Sequence, residues 1–476
     1  MKAFFSVLVF ALAAPAAAQS PVEALFDTVK ASPPRLRVFL QAMPKGADLH
    51  NHLWGAPYAE EFIAWGATDG LCLRGADLTF VPAPCGEGAV PLAGLSDRDP
   101  ALYRRTIDSL STRAFARGVG RNERTGHTQF FDSFDKFAGA AIPSIGRMVA
   151  SARDKAAGDN VQYLELMSNP EAVHLTAMKA AGTAWDGDFD AAYRRVGPLL
   201  PDAVKAAVKE TDAAEAEAAK INECLTQKPA RGACAVTVRY LPFALRSQAP
   251  AYVFGQMAVA FALAEADWRY VGVNIVAPED GPVSTRDYDL HMAMFAYFHK
   301  RFPKVPLALH AGEVTLGLVP PAELRGRIRK AVEVAGASRI GHGVDIAFES
   351  DSAGLLKEMA AKGVAVEINL TSNDTILGVK GRDHPLALYR AAGVPVVLST
   401  DDEGVSRSDM TNEYLRAVTE QGLGYAELKA IAKAGIEHAF LPPKEKGEQA
   451  AKLDAAFDRF EAEVVEKSSS QVPRSS

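Results

Sequence analysis

Apolar residues gather in eight short runs along the chain: Ala47 to Leu53, Val161 to Met167, Ala235 to Phe243, Tyr270 to Val276, Val305 to His310, Arg339 to His342, Val364 to Leu370 and Val394 to Thr400. Runs of this length suit strands buried on both faces, as in a parallel sheet. Stretches of helix-forming composition separate most of them. Phe254 to Ala266 is one, and Ala322 to Ala335 is another, with Gly336 standing as a helix stop. Eight strands alternating with helices predict an α/β fold, a (β/α)8 barrel. Two connections are long, Ala56 to Ser151 and Ser168 to Ala233. They are expected to carry inserted helices and loops. The second includes Ala203 to Lys220, whose Ala, Lys and Glu predict a helix with one solvated face.

The chain has 476 residues, a length that one barrel with insertions fills. Its first residues read as an export signal: Lys2, the apolar run Ala3 to Ala14, then small residues at Ala16-Ala17-Ala18. The expected organisation is a signal peptide over 1–18, a single barrel domain over 19–466 and a polar, disordered tail over 467–476. The mature protein is expected outside the cytoplasm, periplasmic or secreted. No other stretch has 18 uninterrupted apolar residues, so no membrane anchor is expected. Hydrophobic residues make up 48% and charged residues 23%, which excludes a largely disordered chain and a collagen-like polymer. Lys plus Arg number 52 against 58 for Asp plus Glu, a net charge of −6 without a basic run. Nucleic acid is therefore not an expected partner. Export also bears on the four cysteines, since disulfides persist in oxidising compartments. Cys72 with Cys85 and Cys224 with Cys234 can each close a local loop, the alternative being free thiols.

The chemistry is concentrated where these strands end. The first ends in His50-Asn51-His52, the fifth in His310-Ala311-Gly312-Glu313, the sixth in Gly341-His342-Gly343 and the eighth in Thr400-Asp401-Asp402. Residues i and i+2 of a strand point the same way, so His50 and His52 project together. The C-terminal ends of barrel strands form the rim where such folds place their active sites. Three imidazoles and a carboxylate are a ligand set that zinc accepts with room for a water. His50, His52, His310 and Asp401 are the expected ligands of one Zn²⁺ per chain. Zinc lowers the pKa of a bound water from about 15.7 towards about 7. Glu313 can then act as general acid and base, His342 can orient or deprotonate the water, and Asp402 is left for substrate. The other histidines have no such setting and read as structural or surface residues, with His127 in a long rim loop as the one exception.

In this order, with Met43-Pro44-Lys45-Gly46 ahead of them and Phe440-Leu441-Pro442 behind, these motifs resemble the adenosine deaminase family of metal-dependent hydrolases. The lead Met-Pro-Lys-Gly, the stretch Phe130 to Phe137 and Pro278-Glu279-Asp280-Gly281 look most like its secreted, growth-factor-related branch. The resemblance implies zinc-dependent hydrolytic deamination of a small molecule, adenosine or 2′-deoxyadenosine, to the inosine product and ammonia. It implies that activated water adds to C6 of the purine while Glu313 protonates N1. His342 and Asp401 would hold that water in line, and Asp402 would bond N7.

The chain also departs from the family pattern. Cytosolic members follow the second His with Leu-Asp-Gly, and this chain has Leu53-Trp54-Gly55. The acid that would bind the ribose 5′-hydroxyl is absent, and Trp54 either walls off the sugar or is a partly buried rim aromatic. After the fourth strand, Ala277-Pro278 stands where the family has a purine-contacting Gly. Ala277 keeps a backbone N–H for this, whereas Pro278 has none. Glu279 and Asp280 are expected to touch substrate or to support the groups that do, and Ser372 and Asn373 to shape the rim. A deaminase of adenine or of a modified adenine nucleoside, and a catalytically silent secreted binding protein of the same fold, are the alternative readings.

Overall fold

A computed structural model describes residues 19–113, 115, 125–182, 185–226 and 232–470. The expected signal peptide over 1–18 lies outside them. Eight parallel strands form the centre: β1 Gly46–His52, β2 Val161–Met167, β3 Thr237–Leu241, β4 Asn274–Val276, β5 Ala308–Ala311, β6 Arg339–His342, β7 Ala365–Ile368 and β8 Val396–Leu398. Each falls within one of the eight apolar runs or overlaps it. β1, β2 and β3 pair in that order, and β5 to β8 form a second parallel group. Bridges Tyr240↔Tyr270 and Val273↔Leu307 tie β4 between the groups, and Asn51↔Asp401 joins β8 back to β1. The barrel is closed by two backbone hydrogen bonds, from Asp401 N to His50 O at 2.8 Å and from His52 N to Asp401 O at 3.1 Å. Closure leaves no free sheet edge and brings the strand ends to one rim.

Helices pack around this barrel. Pro250–Ala266 begins at a proline, suited to the first helical turn. It is apolar on nearly every side and buried between neighbours. Leu200–Ile221 is the expected Ala-rich helix. Its inner face is Ala203, Ala207, Thr211, Ala214 and Ala218, a three-to-four residue spacing that sets the Lys and Glu side chains outward. The expected helix Ala322 to Ala335 is instead broken. A 3-10 turn over Pro321–Leu324 is followed by extended Arg325, by Gly326 at φ 86°, and by short turns over Arg327–Lys330 and Ala331–Ala335. The break lets buried Arg327 turn inward to Glu279. Gly336 ends the segment as expected.

The insertion after β1 carries a three-stranded antiparallel sheet stapled by the Cys72–Cys85 disulfide. Cys224–Cys234 closes the loop ahead of β3, so both local pairings are present. The last helix continues through Ser470. Its last turn thus overlaps the expected polar tail over 467–476. Residues 471–476 lie outside the described ones. No described helix is long and apolar enough to cross a membrane.

Candidate metal centre and active site

The ends of β1, β5, β6 and β8 place seven expected side chains together at the C-terminal rim. Nε2 of His50 and Nε2 of His52 lie 3.3 and 3.2 Å from Asp401 Oδ1, and Nε2 of His52 is 3.1 Å from Nε2 of His310. One donor atom from each of these four residues falls within 4.8 Å of every other. The His50 Nε2 atom is fully buried yet forms no hydrogen bond.

The far side of each ring explains why such nitrogens face one another. His50 Nδ1 is 2.6 Å from the Glu367 carboxylate, which only accepts, so Nδ1 carries the proton and Nε2 its lone pair. Asn274 Oδ1 receives the backbone N–H of Ile275 at 2.7 Å and of His310 at 3.3 Å, which fixes it as an acceptor. It therefore takes the Nδ1 proton of His310 at 2.9 Å, leaving His310 Nε2 with its lone pair as well. Buried lone pairs beside a carboxylate repel unless a cation lies between them, and this donor set suits a divalent ion of the zinc type. Burial works against charge on Asp401, but the imidazoles of His50 and His52 beside it outweigh this and hold it well below the usual carboxylate range. Glu367 is likewise held below its usual range against burial, by Arg339 and His50. Arg339 itself is buried and bridges Glu367 to Glu165.

Backbone strain marks the same rim. Ala277, His342 and Asp401 have φ of 89°, 68° and 59° at or just after the ends of β4, β6 and β8. Left-handed conformations at non-glycine residues cluster where side chains must be re-aimed. At Gly341 a Cβ would stand 2.6 Å from Cε1 of His50, and at Gly55 one would stand 1.7 Å from Asp402 Oδ1. Both positions admit only hydrogen, so the backbone itself packs against a site residue.

Glu313 faces His342, with Oε1 3.6 Å from Nε2. Burial, then the carboxylates of Asp401 and Glu279, push Glu313 well above the usual range, which favours its protonated form. Burial and Asp401 do the same to Asp402, whose Oδ1 has no hydrogen-bond partner. Burial pushes His342 down to about 3, which keeps its ring neutral. A carboxyl in surroundings that favour its protonated form, a neutral imidazole and a cation site within one buried rim can deliver a proton to a substrate atom while water is held and polarised.

The remaining expected residues divide. Glu279 is not free for substrate. Its carboxylate accepts the backbone N–H of Glu313 at 2.9 Å and of Gly312 at 3.2 Å, and it pairs with buried Arg246 and Arg327 at 3.6 and 3.2 Å. It supports the turn that carries Glu313, the second of the two roles expected for it. Asp280 sits at the rim, with Oδ1 3.1 Å from His127 Nε2, so the exception made for His127 brings it to the mouth of the site. Trp54 is half-buried and packs on the core at the turn after β1. Asn373 lies 2.9 Å behind His342, and Ser372 Oγ is buried without a hydrogen bond. His384, expected to be structural, contacts Asn373 at 3.0 Å and so belongs to the surroundings of His342.

Glu367, Asn274, Arg339 and Asn369 are the site's supports that sequence reasoning passed over. The available signal was a single polar residue inside an apolar strand run, as in Val364-Ala365-Val366-Glu367-Ile368.

A family model described as adenosine deaminase matches residues 119–456, more than half of the chain. An adenosine deaminase of Shewanella loihica is 34% identical over 157 residues, 32% of this chain and 44% of that protein. An adenosine deaminase of a Mycobacterium species (strain KMS) is 27% identical over 312 residues, 64% of this chain and 73% of that protein. The matched stretch thus spans less than half the length of the first curated relatives. Among solved structures, an adenine deaminase from Arthrobacter aurescens is similar at TM-score 0.54 and 16% identity, covering 87% of this chain and 98% of that one. An arabidopsis N6-mAMP deaminase is similar at TM-score 0.57 and 19% identity, covering 88% and 99%.

Proposed function

Since the chain belongs to the adenosine deaminase family, we propose that it hydrolytically deaminates adenosine and 2′-deoxyadenosine, with one zinc ion held by His50, His52, His310 and Asp401. When bound, the ion supplies Lewis-acid activation of water at the barrel mouth. The observation that carries the reading is Glu313: a buried carboxyl beside the donor set, 3.6 Å from His342, in surroundings that favour its protonated form. Glu313 delivers that proton to N1 of the purine as the attacking oxygen adds at C6, so negative charge does not build up on the ring, and the carboxylate so freed takes the proton that the oxygen gives up. Asp402, whose burial beside Asp401 favours its protonated form, donates to N7 and fixes the ring plane. His342 and Asp401 flank the attacking oxygen and hold it in line. Collapse of the adduct, with the C6 hydroxyl proton passing to the leaving amine, breaks the C6–N bond and releases ammonia and the inosine product. The acid–base contribution of a residue such as Glu313 is typically about 10²–10⁴-fold.

Trp54 favours a second reading. With an indole in place of the acid expected to bind a 5′-hydroxyl, an adenine or a modified adenine nucleoside fits the same purine contacts. The Phe130 to Phe137 and Pro278 to Gly281 motifs support a place in the secreted, growth-factor-related branch. The leader pattern over 1–18 and the two disulfides support an exported, periplasmic or secreted enzyme. The test is ammonia release by the purified protein from adenosine, 2′-deoxyadenosine, adenine and 5′- or N6-modified adenosines, before and after chelation, with metal analysis. Release from adenosine that chelation abolishes is expected. Release from adenine alone selects the second reading, and a metal-free protein inert on all of them rejects both.

A further inference from the structure

The hydrogen-bond directions behind His342 can be read from a donor whose identity is not open. Leu386 gives its backbone N–H to Nδ1 of His384 at 3.2 Å. A ring nitrogen that accepts carries no proton, so the neutral, buried His384 carries its proton on Nε2. That nitrogen is 3.0 Å from Asn373 Oδ1, which therefore accepts. The amide of Asn373 is thereby oriented, and its NH2 donates to His342 Nδ1 at 2.9 Å. Asn369 aims its NH2 at the same nitrogen from 3.3 Å. His342 Nδ1 thus accepts, and the ring's one proton sits on Nε2. This Nε2 has no hydrogen-bond partner among the described residues and faces Glu313 Oε1 and Asp401 Oδ2 at 3.6 and 4.0 Å. His342, Asn373, Asn369 and His384 are all buried, which keeps water from supplying an alternative partner.

We propose that the Leu386–His384–Asn373 relay is a positioning device that locks His342 in its Nε2–H tautomer, so that His342 donates a hydrogen bond to the attacking oxygen and does not remove its proton. The identity of that oxygen rests on the deaminase reading; the tautomer does not. Reversing Asn373 would set its NH2 against the Nε2–H of His384 and its oxygen against the unprotonated nitrogen of His342, two mismatches at once. The relay therefore has one direction, set by a main-chain donor at the start of the helix Leu386–Ala391. Of the two roles open to His342 from sequence, orienting the water and deprotonating it, only the first agrees with this direction.

The experiment is a long-range proton–nitrogen correlation on the whole, metal-loaded protein containing ¹⁵N-labelled histidine, with the His342 signals assigned by their loss in His342→Asn. An unprotonated Nδ1 and a protonated Nε2 are expected for both His342 and His384. Asn373→Asp replaces the donor by an acceptor, and the His342 proton should move to Nδ1. Its kcat should then fall by about 10²-fold or more while KM moves only a few-fold, with metal content unchanged. His384→Gln keeps an N–H for Asn373 Oδ1 and should preserve the wild-type His342 pattern; His384→Leu should not. A wild-type His342 protonated on Nδ1 overturns the lock. An unchanged His342 pattern in Asn373→Asp overturns control by the relay, whatever happens to activity. The expected tautomer in a protein inert on every adenine compound overturns the deaminase reading alone.

Discussion

Glu367 and His50 share a buried hydrogen bond of 2.6 Å between carboxylate and Nδ1, and that bond decides which nitrogen of His50 faces the cation site. Glu367→Gln removes the charge and allows the amide to present a donor. Partners of this kind typically contribute about 10–100-fold to metal affinity. The expected result is a loss of that size in zinc affinity, measured by chelator competition, with activity recovered by added zinc. Unchanged affinity would show that the ring is oriented by packing alone.

Glu313→Gln keeps the shape of the side chain and removes the proton it delivers. Zinc content should stay at the wild-type level while kcat falls by at least about 10²-fold. Metal analysis beside steady-state kinetics separates this from loss of the ion. Wild-type turnover in the variant would remove Glu313 from its acid role.

Gly55 leaves no space for a side chain against Asp402, since a Cβ there would lie 1.7 Å from Oδ1. Gly55→Ala must therefore displace the Asp402 carboxyl. A shift of about 1 Å in a positioning group can cost about 10²-fold, so kcat/KM should fall by about ten- to a hundred-fold with zinc retained. Retained kinetics would mean that Asp402 does not contact substrate.

His384 gives a stability signature in acid. Burial, with Arg416 nearby, pushes its pKa down to about 3 from the ordinary 6.5. As pH falls below 6.5 the unfolded chain takes up a proton that the native ring refuses until about 3, so native stability is lost through that window and is complete above it. The slope from this group approaches about 1.4 kcal/mol per pH unit. His384→Gln does not titrate, and its urea stability should fall less steeply between pH 6.5 and 4 than wild type, both measured without metal. Equal slopes would show that His384 is protonated in the native state.

The sequence made the strand ends legible because the rim residues break apolar runs at a shared point: His52, His310, His342 and Asp401 each stand where hydrophobicity stops. The supports were harder to see for the same reason. Glu367 and Asn274 lie inside β7 and β4, where flanking apolar residues made the run read as uniform core. A barrel interior, however, holds inward-facing side chains in layers, and here one layer is ionic, with Arg339 between Glu165 and Glu367. Glu279 was expected either to touch substrate or to support the groups that do, and only the fold shows that Gly312 and Glu313 turn their N–H groups towards it. His384 carried no local mark, because its partner Asn373 acts on a ring from another strand.

The seam between β1 and β8 has a consequence for how the protein matures. Asn51 and Thr400, hydrogen-bonded at 2.9 Å beside the cage, are 349 positions apart in the chain. A nascent chain emerging from the ribosome already displays its first two imidazoles while Asp401 has yet to be synthesised. Only a chain extended through Asp401 can offer all four donors, so the cation site takes shape with the closing of the barrel and not before it.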